Sequence, residues 1–313
     1  MVISLKGGVR SPPPSRSQTG RPADIIAISS HVARGSVGNR AAVFALEQGG
    51  HTVWAVPTVT LPWHPGHGPS TRIEPSDAAF AAFCRDLAQS NELVRVGGII
   101  SGYLASPSQA LAVADLVKAV KAQNPNALYL CDPVLGDRGK LYQPQAILEA
   151  MVDHLLPLAD MATPNRFELE FLTNETLGDN AALSTAATKL GPRTVLVTSA
   201  FGLLTGSMGN LLVEEGRAWL AEHPQIAQAP HGSGDLTAAL FLKNALALDN
   251  REEILRRTTA SVYQILAHST AWNASELLLA GQGHALSQPA GRLEVRRLGM
   301  RRPPRLKDVS RGT

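Results

Sequence analysis

The sequence predicts an α/β fold with a mostly parallel central sheet, and three observations carry that prediction. Short apolar runs alternate with helical stretches along most of the chain. Several of these runs end in polar residues or in a glycine loop, as strands do at the ligand-binding edge of a parallel sheet. A hairpin pattern follows late in the chain, which places a few antiparallel strands at one edge of the sheet.

The first unit is predicted to be βαβ. An apolar run over residues 24–30 ends in two serines and is followed by a glycine loop that reaches Asn39. A helical stretch then continues to Gly49 and Gly50, and a β-branched run follows over residues 51–61. This order of strand, glycine loop, helix and strand is typical of a parallel sheet, and it puts the glycine loop at the carboxyl end of the first strand.

The middle of the chain repeats the same alternation. Helices are predicted over residues 76–90, 106–123, 144–156 and 180–190, with strands over 96–104, 127–131, 159–162 and 194–199. One helix start is well marked, because Ser106 is a good cap, Pro107 suits the first position and Gln109 could reach back to the cap.

The last third changes character. Residues 211–214 and 218–222 flank a turn and predict a hairpin at the antiparallel edge of the sheet. Two helices follow, one from Gly232 to about Leu248 and one capped by Asn250 that runs to Ala267.

Composition favours one large domain. The chain has 313 residues, of which 44% are hydrophobic, and a formal net charge of +3. The basic residues collect at the two ends, so we interpret them as solvated tails and expect no nucleic-acid partner. We predict a disordered extension over residues 1–22, one α/β domain over 23–285 and a basic, flexible tail over 286–313.

Cysteine usage and hydropathy indicate a cytoplasmic protein. Cys84 and Cys131 are the two cysteines of the chain and have no C-x-x-C spacing, which argues against a disulfide framework and fits a reducing compartment. No stretch is long and apolar enough to predict a membrane span, and residues 1–20 lack the apolar core of a signal peptide. We therefore expect no membrane partner.

The most informative stretch is Gly232-Ser233-Gly234-Asp235, followed by small and apolar residues. It predicts a loop that feeds a helix, whose inward-facing N–H groups and positive helix end form an anion site. Asp235 could cap that helix, or it could take a proton from an attacking hydroxyl. Together these roles describe phosphoryl transfer to an alcohol, with a capped helix after a flexible turn as the alternative.

Two further stretches suggest binding residues. Asp132 and Glu168 each follow a predicted strand and could hold Mg²⁺ through water, although an exposed turn and stabilisation of a helix dipole are the alternatives. The Pro- and Gly-rich loop over 62–68 contains Trp63, His64 and His67, and could close over a flat ring. Zinc binding by the two histidines is the alternative, but no third ligand is apparent.

Several motifs in register resemble the pyridoxal kinases of the ribokinase-like superfamily. The resemblance covers residues 24–270 and rests on five stretches, namely 28–39, 100–104, 131–137, 163–168 and 232–235. It implies a three-layer αβα sandwich, ATP and Mg²⁺ as cosubstrate and cofactor, a small-molecule vitamer as substrate, and a homodimer. The implied reaction is phosphorylation of the 5′-hydroxymethyl group of pyridoxal, pyridoxine or pyridoxamine.

The same resemblance implies roles for individual residues. Asp235 matches the catalytic base, and the amides of Gly232, Ser233 and Gly234 match the anion hole. The remaining matches are Ser30, Thr58, Pro65 and Gly66 for the vitamer, Asp132, Thr163, Glu168 and Thr198 for the nucleotide, and Asp132 with Glu168 for Mg²⁺.

Three departures from the family pattern leave alternatives open. Thr198 occupies a position at which one branch of the family has lysine. The loop over 62–68 lacks the residues that are usual in the family, and both tails are unusual. A hydroxymethylpyrimidine or sugar kinase of the same superfamily would use the same anion hole and base. A non-catalytic vitamer-binding protein is the alternative from another class.

Overall fold

A central sheet organises the computed structural model, which describes residues 22–137, 139–291 and 293–299. Within those residues the sheet has nine strands in the order β11-β10-β9-β8-β7-β4-β3-β1-β2. Its strands are β1 (Asp24–Val32), β2 (Val53–Leu61), β3 (Val96–Ser101), β4 (Leu128–Cys131), β7 (Met161–Ala162), β8 (Thr194–Phe201), β9 (Ser207–Glu214), β10 (Arg217–Pro224) and β11 (Val295–Leu298), and β5 (Gly136–Asp137) pairs separately with β6 (Lys140–Leu141).

Helices cover both faces of the sheet, as the αβα prediction requires. They are α1 (Asn39–Glu47), α2 (Asp77–Ala88), α3 (Pro107–Gln123), α4 (Gln145–His154), α5 (Arg166–Thr173), α6 (Asn180–Lys189), α7 (Ser233–Ala247), α8 (Arg251–Ala271) and α9 (Gly283–Ser287). The pairs from β2 to β8 are parallel, and β9, β10 and β11 pair antiparallel. The predicted fold class is therefore confirmed.

Alternating side chains of the strands divide the core between the two faces. In β1, Ile25 and Ala27 pack with α1, α7 and α8, whereas Ile26 and Ile28 pack with α2, α3 and α4. Successive side chains of a strand point to opposite faces, so a strand covered on both sides must be apolar at nearly every position. This is the physical origin of the continuous apolar runs that predicted the sheet.

Local sequence signals set most helix starts. Ser106 accepts a hydrogen bond from the Gln109 N–H at 3.3 Å, and Asn250 accepts one from the Glu253 N–H at 3.0 Å. The reciprocal bonds expected of a capping box are replaced at both helices. Gln109 accepts instead from the Ala105 N–H, and Glu253 binds the guanidinium groups of Arg256 and Arg257.

The antiparallel edge differs from the prediction. The predicted hairpin forms as β9 and β10, but β11 adds one more strand outside it by pairing Val295–Leu298 with Ala218–Ala221. Val295–Leu298, which were expected to belong to the basic tail, therefore form a strand of the sheet. The domain boundary expected after residue 285 falls inside α9 and ahead of β11. Arg296 and Arg297 belong to this strand because ladder hydrogen bonds use the backbone and tolerate charged side chains at a solvated edge.

Two predictions concern the ends of the chain. The disordered extension expected over residues 1–22 lies outside the described residues except for Pro22, as does the tail from residue 300 onward. Within the described part of the chain, no helix combines the length and apolar character needed to span a bilayer.

Helix α7 is enclosed on several sides, because it lies against β3 and β4 and between α1 and α8. Replacing its fully buried Leu240 with Ala should lower the free energy of unfolding by about 2–5 kcal/mol, since the change removes packed apolar atoms and leaves a cavity. Urea denaturation followed by circular dichroism measures the loss. The matched control is Leu111→Ala on α3, where the side chain is 49% exposed, and a change within about 0.5 kcal/mol is expected. Equal losses for the two variants would contradict the assigned core.

Candidate active site

The carboxyl ends of the parallel strands meet the N-terminus of α7 at one edge of the sheet. Asp132 directly follows β4, and Asp235 lies in the first turn of α7. The two carboxylates share a small cavity with Ser29 of β1 and Asn39 of α1. Residues that are 103 positions apart in the sequence therefore face the same space, as the sequence analysis predicted for a ligand site.

Asp235 is held at the mouth of α7 by backbone donors. Its carboxylate accepts hydrogen bonds from the N–H groups of Gly38 and of Asp235 itself. Removal from water raises the pKa of Asp235 above its ordinary value, and the two N–H donors partly oppose that rise. A carboxylate with a raised pKa is a stronger proton acceptor than an exposed aspartate.

The loop before Asp235 has the backbone geometry of an anion site. Gly232 caps α7 with a φ of 99°, in the left-handed region that favours glycine. A Cβ at Gly232 would also overlap the carbonyl oxygen of Ser36, so the position needs glycine for space as well as for conformation. The first N–H groups of a helix have no partner within it, so the amides of residues 232–234 are available at the positive end of a 15-residue helix.

Asp132 is buried beside this carboxylate. Burial raises the pKa of Asp132 to about 7, and the negative charge of Asp235 adds to the rise. The hydroxyl of Thr163, which donates to Asp132 Oδ1 at 2.8 Å, opposes it. The predicted nucleotide residues Asp132 and Thr163 are thus in direct contact.

Glu168 is also buried, but its carboxylate is committed to the backbone. With Asn165 it forms a capping box at the start of α5. Its two oxygens accept from the N–H groups of Leu135, Gly136 and Asn165 at 2.9, 3.3 and 2.8 Å. Burial raises the pKa of Glu168 well above its ordinary value, and the charge of Asp132 adds to the rise. The predicted position of Glu168, in the first turn of the helix that follows a strand, agrees with this geometry.

Thr198 lies near the same edge, on the next strand. Its N–H donates to the Pro164 carbonyl oxygen at 2.9 Å, which joins β8 to the loop that carries Thr163 and Glu168. The four residues predicted to contact a nucleotide therefore come together where β4 and β7 end, with Glu168 in the first turn of α5 and Thr198 within β8.

The residues predicted to contact a ring differ in location and exposure. Ser30 lies in β1 next to Gly38, and Pro65 and Gly66 form an exposed turn after β2. Thr58 is fully buried, and its hydroxyl donates to the Tyr103 carbonyl oxygen at 2.7 Å. Its side chain supports the wall of the cleft through Tyr103 and does not line the open surface.

Sequence reasoning missed a cluster beside the anion site. The imidazoles of His64 and His231 stack with ring centroids 4.1 Å apart, and His67 Nε2 lies 2.7 Å from Glu276 Oε1. Burial lowers the pKa of His64 to about 4, and the neighbouring His231 adds to the effect. Among the residues that the structure describes, no group of three or more His, Cys, Asp or Glu side chains is arranged to hold a metal ion. No local pattern could have found Glu276, which is 209 residues from His67.

Trp63 closes the loop that carries His64 and His67. The indole N–H of Trp63 donates to the Gly68 carbonyl oxygen at 3.3 Å, so the side chain ties the two ends of the loop together. Gly66 lies so close to His231 that a Cβ added at Gly66 would be 2.9 Å from His231 Nε2. The loop over residues 62–68 therefore lies directly against the segment that carries the anion site.

Comparisons with known proteins give matches over more than half of the chain. The family model described as phosphomethylpyrimidine kinase matches residues 83–278. A pyridoxal kinase PdxY of Granulibacter bethesdensis is 37% identical over 265 residues, which are 82% of this chain and 93% of that protein. A pyridoxal kinase PdxY of Rubrobacter xylanophilus is 37% identical over 283 residues, which are 88% of this chain and 97% of that protein. A solved pyridoxal kinase of Leishmania donovani, in complex with ADP and pyridoxamine, superposes with a TM-score of 0.83 at 25% identity and covers 88% of this chain and 100% of its own.

The electrostatic coupling of Asp132 and Asp235 can be measured. Asp235→Asn should lower the pKa of Asp132 below about 7, because it removes the nearby negative charge that disfavours ionisation of Asp132. The ¹³C carboxyl resonance of Asp132 in an NMR pH titration reports the change. Thr163→Val is the control of opposite sign, since loss of its hydroxyl donor should raise the same pKa. An unchanged titration midpoint in Asp235→Asn would show that the two groups do not interact.

Proposed function

Because this chain belongs to the pyridoxal kinase family, we propose that it transfers the γ-phosphoryl group of ATP to the 5′-hydroxymethyl group of pyridoxal. Pyridoxine and pyridoxamine are proposed as further substrates. The observation that carries the proposal is the position of Asp235, which is held by backbone donors at the N-terminus of α7, beside the amides of residues 232–234. These are the two parts that phosphoryl transfer to an alcohol requires, a proton acceptor and a site for the transferred anion.

Asp235 is proposed as the general base. Its carboxylate would accept the hydroxyl proton while the alcohol oxygen forms a bond to the γ-phosphorus. The bond from that phosphorus to the β,γ-bridging oxygen breaks, and ADP leaves with the electron pair. The raised pKa of Asp235 favours this proton transfer, because the driving force grows as the pKa of the base rises toward the working pH.

The amides of Gly232, Ser233 and Gly234 are proposed to stabilise the transferring phosphoryl group. Negative charge spreads over its oxygens in the transition state, and fixed N–H dipoles at a helix N-terminus stabilise that charge without reorganising. The close approach of the Ser36 backbone to Gly232 supports this role, since it fixes the loop before any ligand binds.

Asp132, Thr163, Glu168 and Thr198 are proposed to hold the nucleotide and Mg²⁺. Asp132 suits an ion bound through water, because its carboxylate lines the cavity and Mg²⁺ prefers oxygen ligands and keeps part of its water shell. Glu168 would also act through water, since both of its oxygens already accept backbone N–H groups. Bound Mg²⁺ supplies positive charge against the phosphates.

Ser30, Pro65 and Gly66 are proposed to contact the vitamer ring, with Thr58 acting through Tyr103. Ser30 lies in β1 next to Ser29, which lines the cavity, and the loop over 62–68 lies against the anion-site segment. A ring between them would place its hydroxymethyl group toward Asp235. The homodimer implied by the family and the cytoplasmic setting favoured by two free, buried cysteines are further proposals.

Asp235→Asn should reduce kcat with ATP and pyridoxal by about 10²- to 10⁴-fold, because the amide keeps the shape of the side chain but accepts no proton. Coupled detection of ADP measures the rate, and circular dichroism checks that the variant is folded. Asp153→Asn is the control, since this residue is exposed on α4 and away from the strand ends, and it should keep the wild-type rate. A rate for Asp235→Asn within a few fold of the wild type would exclude Asp235 as the base.

A second candidate is a hydroxymethylpyrimidine kinase, which the matched family model favours by its description. Both reactions would use the same base and anion site, so the preferred substrate ring distinguishes the two candidate functions. We expect pyridoxal, pyridoxine or pyridoxamine to give the highest kcat/KM in a panel that also contains hydroxymethylpyrimidine and ribose. Chromatography of the phosphorylated product, together with ADP release, gives the ranking. Tight pyridoxal binding without ADP release would instead indicate a non-catalytic vitamer-binding protein.

A further inference from the structure

Four segments that are distant in the sequence meet at Glu276. They are the loop over 33–38 after β1, the loop over 62–68 after β2, the segment before α7 and the segment after α8. The backbone joins the last two, because the His231 N–H donates to the Ser275 carbonyl oxygen and the Leu277 N–H donates to the His231 carbonyl oxygen. The side chain of Glu276 projects from this junction toward the other two loops.

Each carboxylate oxygen of Glu276 binds a different loop. Oε2 accepts a hydrogen bond from the Ser36 N–H at 2.8 Å, and Oε1 lies 2.7 Å from Nε2 of His67. A carboxylate only accepts hydrogen bonds, so the proton of the second bond belongs to His67 Nε2. The Glu276 side chain is 11% exposed, and hydrogen bonds to an ionised group that is largely out of water are among the stronger ones.

The backbone at Gly35 leaves room for this carboxylate. Gly35 has a φ of 115°, and a Cβ at that position would overlap the carboxylate of Glu276. The glycine therefore lets the loop over 33–38 fold around the end of the Glu276 side chain.

The two loops that Glu276 joins have different tasks in the proposed reaction. The loop over 33–38 contacts the base and the anion site, since the Gly38 N–H donates to Asp235 and the Ser36 carbonyl oxygen lies against Gly232. The loop over 62–68 contains Pro65 and Gly66, which are proposed to contact the vitamer. One carboxylate thus fixes the position of the substrate loop relative to the base.

We propose that Glu276 is a positioning residue that holds the vitamer loop, through His67, in register with the loop that orients Asp235. This inference rests on the proposed kinase function and adds to it a residue outside the nucleotide and vitamer contacts. Breaking the bond to His67 should free only the vitamer loop. Removing the carboxylate should free both loops, and the two variants should therefore differ in their kinetics.

His67→Ala should raise the KM for pyridoxal by about tenfold, with kcat changed by less than about threefold, because loss of one hydrogen bond to a charged group is worth about that factor in binding. Glu276→Ala should raise the KM by a similar factor and also lower kcat by about tenfold, because the loop that orients Asp235 is no longer held. Glu276→Gln should restore both parameters to within about threefold of the wild type. Its amide oxygen can accept from Ser36, and its NH₂ group can donate to the other tautomer of His67.

Glu214→Ala is the matched control. Glu214 is a buried glutamate that also binds two partners, the Thr194 hydroxyl at 2.9 Å and Arg251 Nε at 2.8 Å. Glu214 is the last residue of β9 and pairs with Thr194, the first residue of β8. This is the end of β8 away from the site, so loss of the carboxylate should lower the melting temperature and leave the KM for pyridoxal unchanged. Hydrogen exchange adds a readout independent of turnover, because the Ser36 amide should exchange faster in Glu276→Ala than in His67→Ala.

The outcomes separate this inference from the proposed function. An active wild type whose KM and kcat are unchanged by Glu276→Ala would overturn the positioning role while leaving the kinase proposal intact. A wild type that phosphorylates no vitamer would overturn the kinase proposal, and unchanged exchange at Ser36 in Glu276→Ala would then also overturn the loop contact. If Glu276→Ala does not fold, an unchanged KM in His67→Ala is sufficient to reject the inference.

Discussion

Burial raises the pKa of Asp132, and the negative charge of Asp235, which faces the same cavity, adds to the rise. Two such groups are tolerated only where other parts of the protein stabilise negative charge. The N–H groups of Gly38 and Asp235, the hydroxyl of Thr163 and the positive end of α7 provide that stabilisation. The same environment that suits two carboxylates also suits the phosphates of a nucleotide, whose charge the ion and the amides would share.

The rest of the fold maintains this arrangement. Parallel strands bring their carboxyl ends to one edge of the sheet. The loops that follow β1, β2, β4, β7 and β8 therefore converge in space, although they are far apart in the sequence. Helix α7 lies against the sheet between α1 and α8, and its buried apolar residues fix the direction in which its N-terminus points. Packing of one apolar helix is therefore what aims the backbone amides at the cavity.

Some features were predictable because their causes are local. The apolar runs of β1 and β3, the caps Ser106 and Asn250, and the glycine loop before α7 depend on residues within a few positions of one another. Strand β11 was not predicted, since its pattern of Val295, two arginines and Leu298 is that of a charged tail until β10 supplies a backbone partner. The burial of Thr58 was likewise missed, because the bond from its hydroxyl to Tyr103 spans 45 residues.

By itself, the sequence determined the alternation of strands and helices, the side chains available at each strand end, and the type of chemistry that a Gly-Ser-Gly-Asp loop supports. These follow from short-range preferences and from a motif whose residues are adjacent. The tertiary structure alone decided that burial and the charge of Asp235 raise the pKa of Asp132, that Glu168 commits its oxygens to the backbone, and that Glu276 joins Ser36 to His67. The physical reason is that burial and electrostatic coupling depend on distances in space, which the folded path of the chain sets and the order of residues does not reveal.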